Sequence, residues 1–98
     1  MPGPSISTHV LDVERGEPTR GVRVELFRAG ELVSTAETDE DGRIPELAAD
    51  LVPGTYRLVF HPATEFFSRV ELELTLTDGH YHVPLLVAPY SCTTYRGS

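Results

Sequence analysis

The chain has 98 residues, a formal charge of −7 and 40% hydrophobic residues, which suits one domain whose core buries only about two-thirds of the surface exposed on unfolding. The acidic balance opposes binding to a phosphate backbone, since there is no cation excess to release counterions. The sequence holds no Lys, Asn, Gln or Trp, which excludes Schiff-base lysine chemistry, a Walker lysine and an N-glycosylation acceptor.

A single cysteine, Cys92, allows neither an intrachain disulfide nor a multi-cysteine zinc site, and fits a reducing compartment. Met1 to Ile6 carries no positive flank or apolar run, so no secretory signal is expected. No stretch approaches the roughly 20 apolar residues of a membrane span. The expectation is one soluble, cytoplasmic domain over residues 1–98, with 1–5 loose and no linker, repeat or low-complexity tract.

Eight Gly and eight Pro imply many turns and short strands. Ser5 to Val13 reads as a first strand with Ile6, Thr8 and Val10 on one face and His9 on the other. Val22, Val24 and Leu26 alternate with Arg23, Glu25 and Phe27, and the turn at Ala29-Gly30-Glu31 makes this a hairpin. Asp39-Glu40-Asp41-Gly42-Arg43 is an acidic turn in which Gly42 supplies a positive φ and Arg43 opens the outgoing segment. After Pro53-Gly54, Tyr56, Leu58 and Phe60 form an inward row. Val70, Leu72, Leu74 and Leu76 then alternate with Glu71, Glu73, Thr75 and Thr77, a strand with one buried and one wet face ended by Asp78-Gly79. Only Glu46 to Leu51 and Ala63 to Arg69 could hold short helical pieces. Seven or eight such strands predict an all-β antiparallel sandwich.

Several side chains could carry chemistry. His80 and His82, two apart on a predicted strand, project from one face, with Tyr81 and Val83 on the other. That spacing suits a metal or an acid/base pair, with His9 and His61 able to complete a ligand set. No carboxylate or thiolate shows matching spacing, however, and a plain surface or part-buried role outweighs the metal. A neutral histidine could take a proton from water near pH 7, although His9 alone also reads as a hydrogen-bonded edge residue and His61, before Pro62, as loop structure. Arg43 could steady an oxyanion or simply close its acidic turn with screened partners. Nothing local lowers the pKa of Cys92, which reads as a small core or interface residue.

Three segments together resemble one family: Ser7-Thr8-His9-Val10-Leu11-Asp12, then Asp41-Gly42-Arg43, then Tyr81-His82-Val83-Pro84-Leu85-Leu86 leading through Pro89-Tyr90 to Tyr95-Arg96-Gly97-Ser98. The chain is similar to the 5-hydroxyisourate hydrolases, the enzyme branch of the transthyretin fold, over Ile6 to Ser98. The segment from Gly21 to Phe60 also resembles non-catalytic transthyretin-like and adhesin-type sandwich modules, so the two ends carry the distinction. Transthyretin itself, the hormone carrier, lacks the catalytic histidine and arginine pattern and the Tyr-Arg-Gly-Ser motif.

The resemblance implies a prealbumin-like sandwich of two four-stranded sheets with at most one short helix, assembled as a dimer of dimers into a homotetramer whose channel holds the active sites. It implies hydrolysis of the lactam ring of 5-hydroxyisourate to 2-oxo-4-hydroxy-4-carboxy-5-ureidoimidazoline in urate degradation, with no metal and no cofactor. His9, Arg43 and His82 match the catalytic positions, and Tyr95, Arg96, Gly97 and Ser98 the substrate-binding motif; His80 and His61 match no family site. If the tail is extended, Arg96 points opposite to Tyr95 and could hold it by an ion pair. Two departures stand out: a short connection over His61 to Arg69, and Ser91-Cys92-Thr93-Thr94 where the family commonly runs Gly-Tyr-Ser-Thr. The alternative reading is a catalytically silent small-molecule carrier or structural sandwich module.

Overall fold

The computed structural model describes residues 3–97. They form nine strands: β1 (Ser5–Asp12), β2 (Glu17–Pro18), β3 (Arg23–Arg28), β4 (Glu31–Glu37), β5 (Arg43–Ala48), β6 (Gly54–His61), β7 (Val70–Leu76), β8 (His80–Ala88) and β9 (Ser91–Thr94). One sheet has the order β4-β3-β6-β7; the other runs β2-β1-β8-β9, with β5 also paired to β1.

The alternations in the sequence fix which side of each strand is buried, because successive side chains leave a strand on opposite faces. Ile6 and Val10 from β1, Val24 and Leu26 from β3, Leu58 and Phe60 from β6, and Leu85 from β8 are all fully buried between the sheets. Each contributes about 1.5–3 kcal/mol by leaving water. Thr8 joins them inside because its hydroxyl donates to the Val83 carbonyl at 2.7 Å, which removes the penalty of an unpaired buried polar group.

The hairpin between β3 and β4 turns on Ala29 and Gly30, both at positive φ (51° and 81°), the backbone twist that suits two-residue hairpin loops. The consequential pairing, however, is long-range. β1 and β8 run parallel, with Ser5 opposite His80, Ser7 opposite His82 and His9 opposite Pro84. β5 pairs antiparallel with β1 on its other edge, placing Arg43 opposite His9.

Three details refine the expected sandwich. The sheet carrying β1 contains five strands, not four, because β2 and β5 share the same edge of β1 at Leu11–Asp12 and Ile6–His9. No helix forms among the described residues. Ile44 and Leu47 are both buried, a spacing of three that imitates a helix but arises here from a register shift in the β1–β5 pairing. Pro45 sits inside that shift and has no N–H to continue the ladder. In the 62–69 connection, the Thr64 hydroxyl accepts from the Phe67 amide at 2.9 Å and donates to its carbonyl at 3.0 Å, a local closure that competes with helix formation. Finally, order begins before residue 6: Pro4 is buried, its carbonyl accepts from the Leu51 amide at 3.0 Å, and Ser5 already belongs to β1.

Candidate active site

Burying Ile6, Thr8 and Val10 forces Ser5, Ser7 and His9 to the outer face of the five-stranded sheet, and burying Val83 and Leu85 does the same for His80 and His82 on β8. A slip of one residue in register would invert both rows. The outer face therefore carries Arg43 beside His9, Ser7 beside His82, and Ser5 beside His80.

The β4–β5 turn fixes Arg43. The Asp39 carboxylate accepts from the amides of Asp41 at 2.9 Å and Arg43 at 3.0 Å, and the Asp39 amide donates to the Arg43 carbonyl at 2.9 Å. Gly42 has φ 72°, and a Cβ there would stand 2.5 Å from the Val10 carbonyl oxygen, so both conformation and space demand glycine. Among the described residues the Arg43 side chain makes no salt bridge, leaving its forked donors available for an anionic or carbonyl oxygen.

The same turn orients His9, whose Nε2 lies 2.9 Å from the Asp41 carbonyl oxygen. A carbonyl only accepts, so Nε2 carries the hydrogen and the neutral ring keeps Nδ1 bare. His82 has the complementary arrangement: its Nδ1 meets Ser7 Oγ at 2.8 Å, leaving Nε2 as the nitrogen available to a reacting molecule. Burial pushes the His82 pKa below its ordinary value, and the positive charges of Arg43, His9 and His80 push it the same way. His82 is therefore a neutral acceptor near pH 7.

The tail divides between the two sides of the sheet. The Gly97 amide donates to the His82 carbonyl at 2.7 Å, and any Cβ at Gly97 would lie 2.8 Å from His82 Cδ2. Arg96 instead stacks over the Tyr81 ring at 4.2 Å, a cation–π contact, and makes no ion pair among the described residues. The Tyr81 hydroxyl bonds to Thr77, which together with Arg96 lowers its pKa. Arg96 and the half-exposed Tyr95 line a groove of about 610 Å³ with Leu72, Leu74, Tyr81 and Val83, on the inner side of the sheet. Ser98 lies outside the described residues.

His61 is on the other sheet, hydrogen-bonded to Glu25 and 3.4 Å from Arg23, remote from the other three histidines. Burial raises the Cys92 thiol pKa, as befits a side chain packed against the core. Among the described residues no group of three His, Cys, Asp or Glu side chains is placed to hold a metal. Sequence reasoning did not single out Ser5 and Ser7, nor the link from His80 to His82. Alternation does put Ser7 on the face of His9, but its closeness to β8 depends on a parallel pairing that local pattern does not encode.

A transthyretin-type sandwich carrying three histidines and, among the described residues, an arginine without a salt bridge on the outer face of one sheet describes this chain. Residues 6–97 match the model of the HIUase/Transthyretin family, and the chain belongs to that family. It is 43% identical to a 5-hydroxyisourate hydrolase of Deinococcus radiodurans, over 97% of each chain. It is 40% identical to a 5-hydroxyisourate hydrolase of Pseudomonas aeruginosa, over 95% of this chain and 90% of the relative. Among solved structures it resembles Klebsiella pneumoniae 5-hydroxyisourate hydrolase with a TM-score of 0.89 and 34% identity, covering 97% and 99% of the two chains. It also resembles transthyretin from Sparus aurata, with a TM-score of 0.83 and 25% identity over 94% and 95%.

Proposed function

We propose that this protein hydrolyses 5-hydroxyisourate, opening its lactam ring in urate degradation. The observation that carries the reading is the pairing of Arg43 with His9 across β5 and β1, on the same face as His82 of β8. A carrier needs no such set, whereas amide hydrolysis needs a base for water and support for the carbonyl oxygen as it becomes an oxyanion.

His82 is the general base: with Nδ1 engaged by Ser7 its Nε2 is left for the reacting molecule, and its lowered pKa keeps the ring neutral and able to accept a proton at neutral pH in its Nδ1–H form. Arg43 binds the planar substrate and steadies the developing negative charge through charge-assisted hydrogen bonds. His9, held by the Asp41 carbonyl, orients water or protonates the departing nitrogen. Gly97 allows the tail to close against the His82 ring, while Tyr95 and Arg96 line the groove on the inner side of the sheet, away from that ring. These steps use side chains alone, without a metal or organic cofactor.

The outer sheet face is open in a single chain, and a site that excludes water needs a further wall. We place that wall in a second copy of the chain, within a homotetramer acting in the cytoplasm. The half-exposed apolar row of β7 and the β9 edge are surfaces through which copies could join by strand pairing.

The test is the ultraviolet decay of freshly generated 5-hydroxyisourate. Accelerated decay over buffer is expected, and decay at the buffer rate would remove the reading. Calorimetry with aromatic hormone-like ligands tests the carrier alternative, which tight binding without turnover would favour.

A further inference from the structure

His80 lies outside the catalytic set, yet it is wired into it. Ser5 Oγ meets His80 Nδ1 at 2.7 Å, His80 Nε2 meets Ser7 Oγ at 2.7 Å, and Ser7 Oγ meets His82 Nδ1 at 2.8 Å. Four side chains thus form one continuous chain of hydrogen bonds, running from the part-buried His82 through Ser7 and the exposed His80 to Ser5.

A serine hydroxyl carries one hydrogen. To bond both rings as a link in a relay, Ser7 donates to the bare nitrogen of one histidine and accepts from the N–H of the other. If His82 holds its hydrogen on Nδ1, Ser7 accepts there and donates to His80 Nε2, and neutral His80 carries its hydrogen on Nδ1 toward Ser5. If Ser7 donates to His82 Nδ1, then His80 Nε2 donates to Ser7, and both rings are Nε2–H tautomers. The two histidines switch together.

We infer that Ser7 and His80 are positioning residues forming a proton relay, through which His82 changes from the Nδ1–H to the Nε2–H tautomer during hydrolysis without becoming an imidazolium. This inference rests on the proposed role of His82 as base. Its physical motive is the setting of that ring: it is part-buried and the permanent charge of Arg43 faces it from β5, with His9 on β1 and His80 on β8 adding to the opposition whenever they are charged, so a cationic His82 is disfavoured.

The proton count closes. Water gives a proton to His82 Nε2 as its oxygen bonds to the lactam carbonyl carbon. The His82 Nδ1 proton passes to Ser7 Oγ, the Ser7 hydroxyl proton passes to His80 Nε2, and the His80 Nδ1 proton leaves to solvent directly or by way of Ser5. His82 is then neutral with hydrogen on Nε2, the form that can give that proton to the leaving nitrogen as the carbon–nitrogen bond breaks. The relay runs backwards to reset, drawing one proton from solvent, and the product carboxylic acid ionises to solvent.

Nitrogen-resolved NMR of the full-length protein above the titration range of His82 reads the tautomers directly. Both rings should be of the same kind, and Ser7→Ala should change the tautomer population of His80. In turnover, Ser7→Ala and His80→Ala should each lower kcat at least about tenfold, with KM changed less than about twofold. Added imidazole should restore His80→Ala, since that position is exposed. Opposite tautomers in the two rings overturn the relay whether or not the protein turns over substrate. Unchanged kcat in both variants, or a loss in His80→Ala that imidazole leaves untouched, overturns its part in catalysis. A wild-type protein inert toward 5-hydroxyisourate overturns the functional reading and the catalytic relay together, while the NMR result separately decides whether the coupled tautomers exist.

Discussion

Gly97 lies directly against the ring of His82: its amide donates to the His82 carbonyl at 2.7 Å, and the space a Cβ would fill is 2.8 Å from Cδ2 of the same residue. The absence of a side chain at 97 is therefore a condition for where the imidazole at 82 points.

Gly97→Ala should push the His82 ring away from Ser7. We expect kcat to fall at least about tenfold, the scale of a misplaced acid/base group, while the urea midpoint stays nearly unchanged because no core residue is touched. A variant with normal kcat would show that the ring tolerates the displacement.

His82→Ala and Arg43→Ala should each slow turnover at least about 100-fold, the effect of removing a positioned base or an oxyanion donor. Neither side chain contributes to the apolar core, so circular dichroism should show the fold intact. Near-wild-type rates in either variant would argue against its assigned role.

Gly42→Ala probes the turn. A non-glycine residue at φ 72° facing the Val10 carbonyl at 2.5 Å should destabilise the protein by ~1–3 kcal/mol. Because the same turn aligns Arg43 with His9, activity measured well below the unfolding range should fall as well. Loss of stability with full activity would separate the turn from the site.

The His82 pKa sits below its ordinary value of 6.5, first through burial and then through Arg43, His9 and His80. The neutral ring is favoured by folding, so this stabilisation is complete above pH 6.5 and is lost as the pH falls through the folded pKa. The acid limb of kcat/KM should lie below 6.5 for the same reason. NMR titration should find the His82 midpoint there, and Arg43→Ala should raise it. A midpoint at or above 6.5 in the wild type would contradict the geometry.

The strand alternations were legible because burial is a period-two property of neighbouring residues. Ile6, Val24, Leu58 and Leu76 all follow it, and the turns at Ala29-Gly30 and Asp39–Gly42 announced themselves through residues tolerant of positive φ or able to bond their own backbone. The local pattern left Glu46 to Leu51 open to a short helical piece, where the chain instead carries the irregular end of β5. It was silent about Ser7 and His80, which meet only because β1 lies parallel to β8. It also did not foretell that the tail would straddle the sheet, with Gly97 against His82 and Arg96 on Tyr81.

That parallel strand pair has a consequence for biosynthesis. The four-stranded sheet holds the β3–β4 hairpin and the antiparallel β6–β7 pair, so it can begin to assemble while the ribosome is still reading the message. β1 must wait with its own outward row unpaired until β8 arrives, and the bonds from Ser5 and Ser7 to the β8 histidines bridge 73 to 75 positions. Closing so wide a loop is slow relative to making a hairpin. The bonded row of serines and histidines is thus among the last features to mature, after most of its scaffold is in place.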